Sequence, residues 1–262
     1  MKTPKKIFML VLFVLVLTFS IGWIASKANE ESEKVIAEEK RERVVLLSIL
    51  SDVRHQMIYL MADKITWMNY ENFIIQVGDS TQEVLYRFPK WYHGKYPPDL
   101  IYHDVNGDTL GDIIIVLNND KAGRKYIHIL NFTKEQEEYE EALIESIEKT
   151  KKTINSIVTL EKQGNIVTIH VLGEKYTNDI SKYNFRNPRK PFSIGFQQII
   201  YSIENGQLFG KVPVYIDQDS FSGGLIGLLK FGYDWNGKEY VVKQIKFLSY
   251  KSDDEQFFFP SG

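Results

Sequence analysis

Cysteine is absent from the 262-residue chain. Its absence excludes disulfide bonds, thiolate metal sites, cysteine nucleophiles and a lipid-modified cysteine. The 17 glycines and 8 prolines are too few for a collagen-like or linker-dominated chain. An excess of positive charge is also missing, because 32 Lys and Arg stand against 34 Asp and Glu. We therefore do not expect nucleic acid as a partner.

The remaining composition is that of a folded, strand-rich protein. Hydrophobic residues make up 44% of the chain and charged residues 25%, and Tyr and Phe number 15 and 16. Aromatic side chains favour strands that pack on a core. The length fits one large folded unit or two small ones.

The amino terminus differs from the rest of the chain. Lys2, Lys5 and Lys6 precede Ile7–Ile24, an 18-residue run without charge. As a helix the run would be about 27 Å long, close to the thickness of the hydrocarbon core of a bilayer. The length favours a retained membrane anchor over a cleaved signal peptide, although Ser26-Lys27-Ala28 resembles a cleavage site.

The lysines before this run predict a cytoplasmic amino terminus and an extracytoplasmic remainder. We assign residues 1–28 to a signal-anchor transmembrane segment, so the protein is predicted to be a single-pass protein of the cell membrane. Cleavage would instead release it as a secreted protein. Beyond residue 28, 28 basic and 34 acidic residues remain, which gives a net charge of −6.

A helical stalk is predicted over residues 29–55. Glu30–Arg43 carries six acidic and four basic residues, a pattern typical of a solvated helix. Leu46, Ile49, Leu50 and Val53 repeat at helical spacing and predict that the helix continues.

From Met57 onward, short apolar and aromatic runs separated by turn residues predict antiparallel strands. The predicted strands are Met57–Met61, Phe73–Val77, Val84–Phe88, Leu100–Tyr102, Ile113–Leu117, Tyr126–Leu130, Ile154–Leu160, Ile166–Leu172, Gln198–Ile203, Gly210–Ile216, Leu225–Tyr233 and Tyr240–Leu248. Asn205-Gly206 and Asn236-Gly237 are the strongest hairpin signals. A helix is predicted to begin at Thr133, where the spacing to Gln136 fits a capping box.

The expected fold class is therefore α+β, mainly antiparallel β. Residues 56–177 form a β-rich region with one helix, and residues 178–250 form a region of β-hairpins. The second region either belongs to the same domain or forms its own, and residues 251–262 form a tail.

One acidic loop has a defined chemistry. Within the sequence from Asp104 to Asp112, the side chains of Asp104, Asn106, Asp108 and Asp112 supply oxygen at relative positions 1, 3, 5 and 9, and the carbonyl of Leu110 occupies position 7. Six to eight hard oxygen ligands suit calcium better than magnesium or zinc. These five residues are the predicted calcium ligands. The alternative is a metal-free acidic turn that joins two strands.

The loop resembles the calcium loops of FG-GAP/VCBS-type repeats, in which Asp-x-Asn/Asp-x-Asp-Gly-x-x-Asp precedes an apolar strand. The resemblance covers about a dozen residues and implies calcium binding by the matching positions. It departs at Thr109, where the family has glycine, and this departure predicts weak binding because a β-branched residue disfavours a left-handed bend. FG-GAP repeats build propellers of four-stranded blades. One loop of this kind predicts that the chain is not a complete propeller.

The flanks of the loop add a looser resemblance. Pro98–Tyr102 precedes the loop and Ile127–Leu130 follows it, as in a group of secreted or membrane-anchored proteins of Gram-positive, spore-forming bacteria to which no reaction is assigned. This resemblance spans about residues 55–250 and implies no particular reaction.

Other candidates have ordinary structural interpretations. Asp217, Asp219 and Ser222 form a second oxygen-rich turn without the rest of a cage, and none of the five histidines has zinc-ligand spacing. Trp67, Trp91, Tyr92 and Tyr96 are consistent with a sugar- or peptide-binding platform or with packing.

The sequence favours a membrane-anchored, non-catalytic domain with one calcium-stabilised loop, which interacts with a protein or glycan at the cell surface. No catalytic residue is assigned. The alternative is a cell-wall or glycan hydrolase that uses two carboxylates in one cleft.

Overall fold

Alternating apolar and polar residues, punctuated by turns, fold this chain into strands. The computed structural model describes residues 27, 41–51, 55–79, 81–94, 96–119, 124–181, 193–196, 199–216 and 224–249. The chain divides into two units, Met1–Arg43 and Val44–Gly262, and the following account concerns the second. The predicted anchor at 7–24, residues 29–40 of the predicted stalk and the predicted tail lie outside the described residues. Within the described part, no helix is both long and apolar enough to cross a membrane.

The described residues form sixteen strands and the helix α1. The strands are β1 (Arg43–Leu50), β2 (Met57–Lys64), β3 (Tyr70–Val77), β4 (Val84–His93), β5 (Asp99–His103), β6 (Asp112–Asn119), β7 (Arg124–Thr133), β8 (Glu138–Ile144), β9 (Val158–Gln163), β10 (Ile166–Val171), β11 (Glu174–Asp179), β12 (Ser193–Ile194), β13 (Ile200–Glu204), β14 (Gln207–Tyr215), β15 (Leu225–Trp235) and β16 (Glu239–Ser249). Helix α1 spans Ile147–Ile157. The fold is mainly antiparallel β, which confirms this part of the expected fold class.

The strands form three sheets. The first has the order β1-β2-β3-β4, the second β11-β10-β9, and the third β12-β14-β15-β16-β8-β7-β6-β5, with β13 also paired to β14. Most pairs are antiparallel, whereas β16 and β8 run parallel and pair only at Glu239–Leu143 and Tyr240–Ile144. The third sheet therefore draws strands from both predicted regions, 56–177 and 178–250. The sheets of four, three and nine described strands are not a set of equal four-stranded blades.

Strand β6 lies between two hydrophobic cores. Ile113, Ile115 and Leu117 face one core, which they share with the first sheet. Ile114 and Val116 face the other, which contains α1 and residues of the remaining strands. A strand buried on both faces needs an uninterrupted apolar run, and each fully buried isoleucine stabilises the fold by about 2–3 kcal/mol. The predicted loop thus leads directly into the best-buried strand of the described structure.

The prediction of a helix through Leu46, Ile49 and Leu50 is wrong. These residues lie in β1, which pairs with β2 at the edge of the first sheet. Leu46 and Ile49 pack against the core shared by β2, β3 and β6. β-Branched and apolar residues satisfy the period of a strand as well as that of a helix over so short a segment, and the pairing with β2 decides between them. Val53 lies outside the described residues.

The prediction of a helix from Thr133 is also wrong. Strand β7 ends at Thr133 and β8 begins at Glu138. The Thr133 hydroxyl donates to the carbonyl of Glu138 (3.0 Å), so this side chain closes a hairpin instead of capping a helix. Burial of Tyr139, whose ring lies edge-on to Phe132 (5.2 Å between centroids), fixes the segment as a strand.

Helix α1 begins later than the sequence predicts. Ser146 is its N-cap and accepts the N–H of Lys149. The helix ends at Ile157, so the predicted strand Ile154–Leu160 is helical in its first half and forms β9 only from Val158.

Candidate metal-binding loop

The acidic loop joins two paired strands. It leaves β5 at His103 and enters β6 at Asp112, and these two residues face each other in the antiparallel register. The pairing brings Asp104 and Asp112, which are eight positions apart in sequence, to the same end of the hairpin. The strands therefore hold the two ends of the loop in place.

Three predicted ligands organise the loop through its own amides. Asp104 accepts the N–H of Gly107 at Oδ1 (2.7 Å) and the N–H of Thr109 at Oδ2 (2.8 Å). Asn106 Oδ1 accepts the N–H of Asp108 (2.9 Å). These bonds turn the side chains of Asp104 and Asn106 towards the inside of the loop.

Asp108 closes the same network. Its Oδ1 accepts the N–H of Leu110 (2.8 Å), and its Oδ2 accepts the side-chain amide of Asn106 (3.1 Å). Each carboxylate oxygen has two lone-pair directions. An oxygen that accepts one N–H can therefore still bind a cation.

Thr109, which stands where the FG-GAP/VCBS-type pattern has glycine, adopts a left-handed backbone. Its φ is +72°, and a β-branched residue is strained in this region by about 1–2 kcal/mol. The side chain is exposed. The departure from glycine at this position therefore costs stability in the loop.

Asp112 differs from the other predicted ligands because it is fully buried. Its Oδ2 accepts the N–H of Val105 (3.0 Å), and its Oδ1 accepts the N–H of Phe132 (3.3 Å) on β7. Burial raises the pKa of Asp112 to about 7 against the opposing effect of these two hydrogen bonds, and the charges of Asp108 and Asp104 raise it further. Asp112 thus ties the loop to β7, a role that the spacing alone does not reveal.

Leu110 and Gly111, the last two residues of the loop, pack against the rest of the domain. Leu110 packs against the core shared with the first sheet. At Gly111, a Cβ atom would lie 2.1 Å from the ring of Tyr102. Only glycine lets the tyrosine ring of β5 cover this point.

All of the predicted ligand atoms in the loop are oxygens, which suit a hard cation. Asp104, Asn106 and Asp108 carry oxygen atoms within one hydrogen-bonded turn, and the backbone carbonyl of Leu110 is the fourth predicted ligand. Within the described residues, no group of three or more His, Cys, Asp or Glu side chains is arranged to hold a metal ion. Binding would therefore need the carboxylates of the loop to move closer together than they are here.

A shallow groove lies beside the loop. It has a volume of about 500 Å³ and is lined on one side by Asn106 and Asp108 and elsewhere by residues that include Glu140, Trp235 and Lys238. The loop is therefore open to solvent on one side, as an exchangeable cation requires.

The weaker sequence candidates separate in the structure. His93 is fully buried, and His128 stacks on Trp91 (3.8 Å between centroids) and lies 2.9 Å from Glu141. Trp91 is buried, whereas Trp67 and Tyr96 are exposed. The aromatic cluster is thus part core and part surface. The turn containing Asp217, Asp219 and Ser222 lies outside the described residues.

Sequence reasoning did not identify a charged cluster on β13–β15. Glu204 forms ion pairs with Lys211 (3.0 Å) and with the buried Lys230. Its hydrogen bond from Lys230 is the main cause that lowers the pKa of Glu204 to about 2. Lys211 follows Glu204 by seven positions and Lys230 follows Lys211 by 19, and the register of β13–β14–β15 brings the three residues together.

Comparisons with protein-family models, with curated proteins and with solved structures find no match to this chain.

Proposed function

We propose that this protein is a membrane-anchored, extracytoplasmic and non-catalytic domain in which one calcium ion stabilises the Asp104–Asp112 loop, and that it acts as an interaction module at the cell surface. The observation that carries the calcium proposal is the hydrogen-bond network of the loop. Asp104, Asn106 and Asp108 each accept a loop N–H. This network orders the three side chains within one turn, and binding of calcium would draw their oxygen atoms together.

The charges of the loop support a cation. Asp104, Asp108 and Asp112 lie within one hairpin connection. Burial is the main cause that raises the pKa of Asp112, and the charges of Asp108 and Asp104 raise it further. Like charges held together by the backbone repel one another, and a divalent ion offsets that repulsion. Calcium fits better than magnesium because a ring of side-chain and carbonyl oxygens on a flexible loop does not impose octahedral geometry.

The location of the loop suggests what the ion does. Asp112 begins β6, which is buried between the two cores. Asp104 directly follows β5, so an ion shared by the loop residues would tie both strands at one corner. We infer a structural role for the ion, since the proposal assigns no reacting group to the loop.

The anchor and the location rest on the sequence. Lysines followed by an 18-residue uncharged run are typical of a signal anchor. Extracellular fluid contains the millimolar calcium that a weak site requires. We expect a dissociation constant of about 10⁻⁴–10⁻³ M, as in other extracellular modules.

Calorimetric titration of the full chain, kept in mild detergent, tests the proposal. We expect one calcium ion per chain and weaker binding of magnesium. The variant Asp108→Ala should not bind calcium. Asp79→Ala is a matched control, because Asp79 also accepts turn N–H groups, from Thr81 (2.8 Å) and Gln82 (3.3 Å), outside the loop. Absence of heat with calcium in the unmutated chain, at concentrations up to about 10 mM, would reject the calcium site.

A further inference from the structure

A shallow apolar hollow lies at one edge of the first sheet. It has a volume of about 320 Å³. We call it the aromatic hollow, and its lining includes Leu46, Leu47, Trp67, Met68, Tyr70 and Tyr96. Trp67 is 79% exposed and Tyr96 is 41% exposed. Large apolar groups displayed together at a surface mark a site of interaction.

The backbone holds Trp67 in this exposed position. Lys64, the last residue of β2, pairs with Tyr70, the first residue of β3. Between them, the N–H groups of Ile65 (2.8 Å) and Thr66 (3.3 Å) both donate to the carbonyl of Asn69. The Tyr70 hydroxyl donates to the carbonyl of Trp67 (3.4 Å). The indole is therefore carried on a hydrogen-bonded loop.

A buried histidine fixes the other aromatic residue. The N–H of Asn118 donates to His93 Nδ1 (3.0 Å), so the proton of the neutral ring lies on Nε2. This Nε2–H donates to the carbonyl of Tyr96, and the Tyr96 N–H donates to the carbonyl of Gly94 (3.1 Å). His93 is fully buried, and it thereby positions Tyr96 beside the hollow.

The chemistry of the lining favours lipid over sugar. Of the six named side chains, Leu46, Leu47 and Met68 carry no N–H or O–H group, and the Tyr70 hydroxyl is used within the loop. The lining therefore offers few hydrogen-bonding groups to a sugar. A sugar needs several hydrogen-bonding side chains around it. Tryptophan and tyrosine, with an apolar body and a polar tip, are enriched where a protein meets the headgroup level of a membrane.

Only a short stretch of sequence separates the predicted anchor from β1, which contributes to the hollow. The uncharged run ends at Ile24, and β1, which contributes Leu46 and Leu47, begins at Arg43. The 18 residues between them reach at most about 63 Å when fully extended. Three more exposed apolar residues belong to β1 or follow β2, namely Val45 (56% exposed), Leu50 (54%) and Ile65 (42%).

We propose that the aromatic hollow rests on the outer surface of the same membrane, with Trp67 and Tyr96 at the level of the lipid headgroups. This proposal rests on the anchor in the proposed function. It means that the domain lies against the bilayer in one orientation and presents its other surfaces to partners. His93 is then a positioning residue, since it acts through Tyr96.

Quenching of tryptophan fluorescence by brominated lipid tests the orientation. The full chain is placed in phosphatidylcholine nanodiscs at one chain per disc, with and without bromine on the acyl chains. A Trp23→Phe background removes the tryptophan of the anchor. In this background we expect bromine to quench the fluorescence, and Trp67→Phe should reduce the quenched portion at least twofold. Trp235→Phe, which removes a tryptophan of β15, should leave that portion unchanged.

The results distinguish failure of this proposal from failure of the predicted anchor. Quenching of Trp23, measured as the difference between the unmutated chain and Trp23→Phe, together with no quenching of Trp67, overturns the inference and leaves the anchor intact. A chain that does not stay with the discs overturns both. Because Trp67 is exposed, Trp67→Phe should melt at the same temperature as its parent, which shows that the fold is retained.

Two other occupants of the hollow would also overturn the proposal. If bromine quenches Trp67 only after deletion of residues 251–262, the tail of the chain covers the hollow. If bromine never quenches Trp67, and acrylamide reaches it less in discs with two chains than in discs with one, a second copy covers it.

Discussion

Replacing Thr109 by glycine should stabilise the protein, although most glycine substitutions destabilise. Thr109 has a φ of +72°, and its side chain is exposed. Relief of the left-handed strain should raise the free energy of unfolding by about 1–2 kcal/mol. The greater conformational freedom of glycine in the unfolded chain should lower it by about 0.4–1 kcal/mol. We therefore expect Thr109→Gly to be more stable by about 0.5–1 kcal/mol.

Thermal melting of the full chain measures this difference. For a folded unit of this size, a gain of that order raises the melting temperature by about 1–4 °C. Thr177→Gly is the control, because Thr177 is an exposed residue of β11 with an ordinary strand backbone. It should lower the melting temperature. If Thr109→Gly lowers it by as much as Thr177→Gly does, Thr109 is not strained and the described geometry of the loop is wrong.

Three further predictions concern Glu204, His93 and Gly111, which are not predicted calcium ligands. Glu204→Gln should destabilise by about 2–3 kcal/mol, because it leaves the ammonium of the buried Lys230 without its carboxylate. The pKa of Glu204 is lowered from its ordinary value of 4.5 to about 2. The stabilisation by the ion pair is therefore fully present above pH 4.5 and is lost as the pH falls towards 2. The stability of the variant should not show this loss between pH 4.5 and 2. Burial lowers the pKa of His93 from its ordinary value of 6.5, so its contribution to stability is fully present above about pH 6.5 and is lost as the pH falls through the lowered pKa. An NMR titration should show that the ring of His93 protonates at a lower pH than an ordinary histidine, and protonation at or above the ordinary pH would contradict its burial. Gly111→Ala should destabilise by about 1–3 kcal/mol, because the new Cβ meets the ring of Tyr102, and unchanged denaturant unfolding would show that the ring moves aside freely.

Local signals in the sequence predict the hairpins well. Asn205 and Gly206 both have positive φ, 51° and 78°, and connect Glu204 to Gln207 in a two-residue turn. Such a turn depends almost entirely on the two residues that form it. The apolar run Ile113–Leu117 likewise predicts a buried strand because no helical face or polar interruption competes with it.

The failures occur where distant partners decide the structure. The short apolar segments of β1 and β8 satisfy both periodicities, and only the neighbouring strands choose between them. At Leu172-Gly173, a tight turn with positive φ at both residues begins β11. The mostly polar residues of β11 do not predict a strand, although every residue of β11 pairs with β10.

The candidate loop shows the same division. The order of oxygen-bearing residues is visible in the sequence, and the structure places Asp104, Asn106 and Asp108 in one hydrogen-bonded turn. The part played by Asp112 was not predictable, because its partner Phe132 is 20 positions away and reaches it only through the pairing of β6 with β7. Whether the loop holds calcium stays a prediction.

The dependence of melting on calcium tests the central claim most directly. With a dissociation constant of about 0.5 mM, calcium at about 5 mM should stabilise the unmutated chain by about 1.4 kcal/mol. This gain should raise the melting temperature by about 3–5 °C. Asp79→Ala should keep the whole increment, and Asp108→Ala should lose it. Equal melting of the unmutated chain with calcium and with a chelator would contradict the account, and so would an increment in Asp108→Ala as large as that of Asp79→Ala.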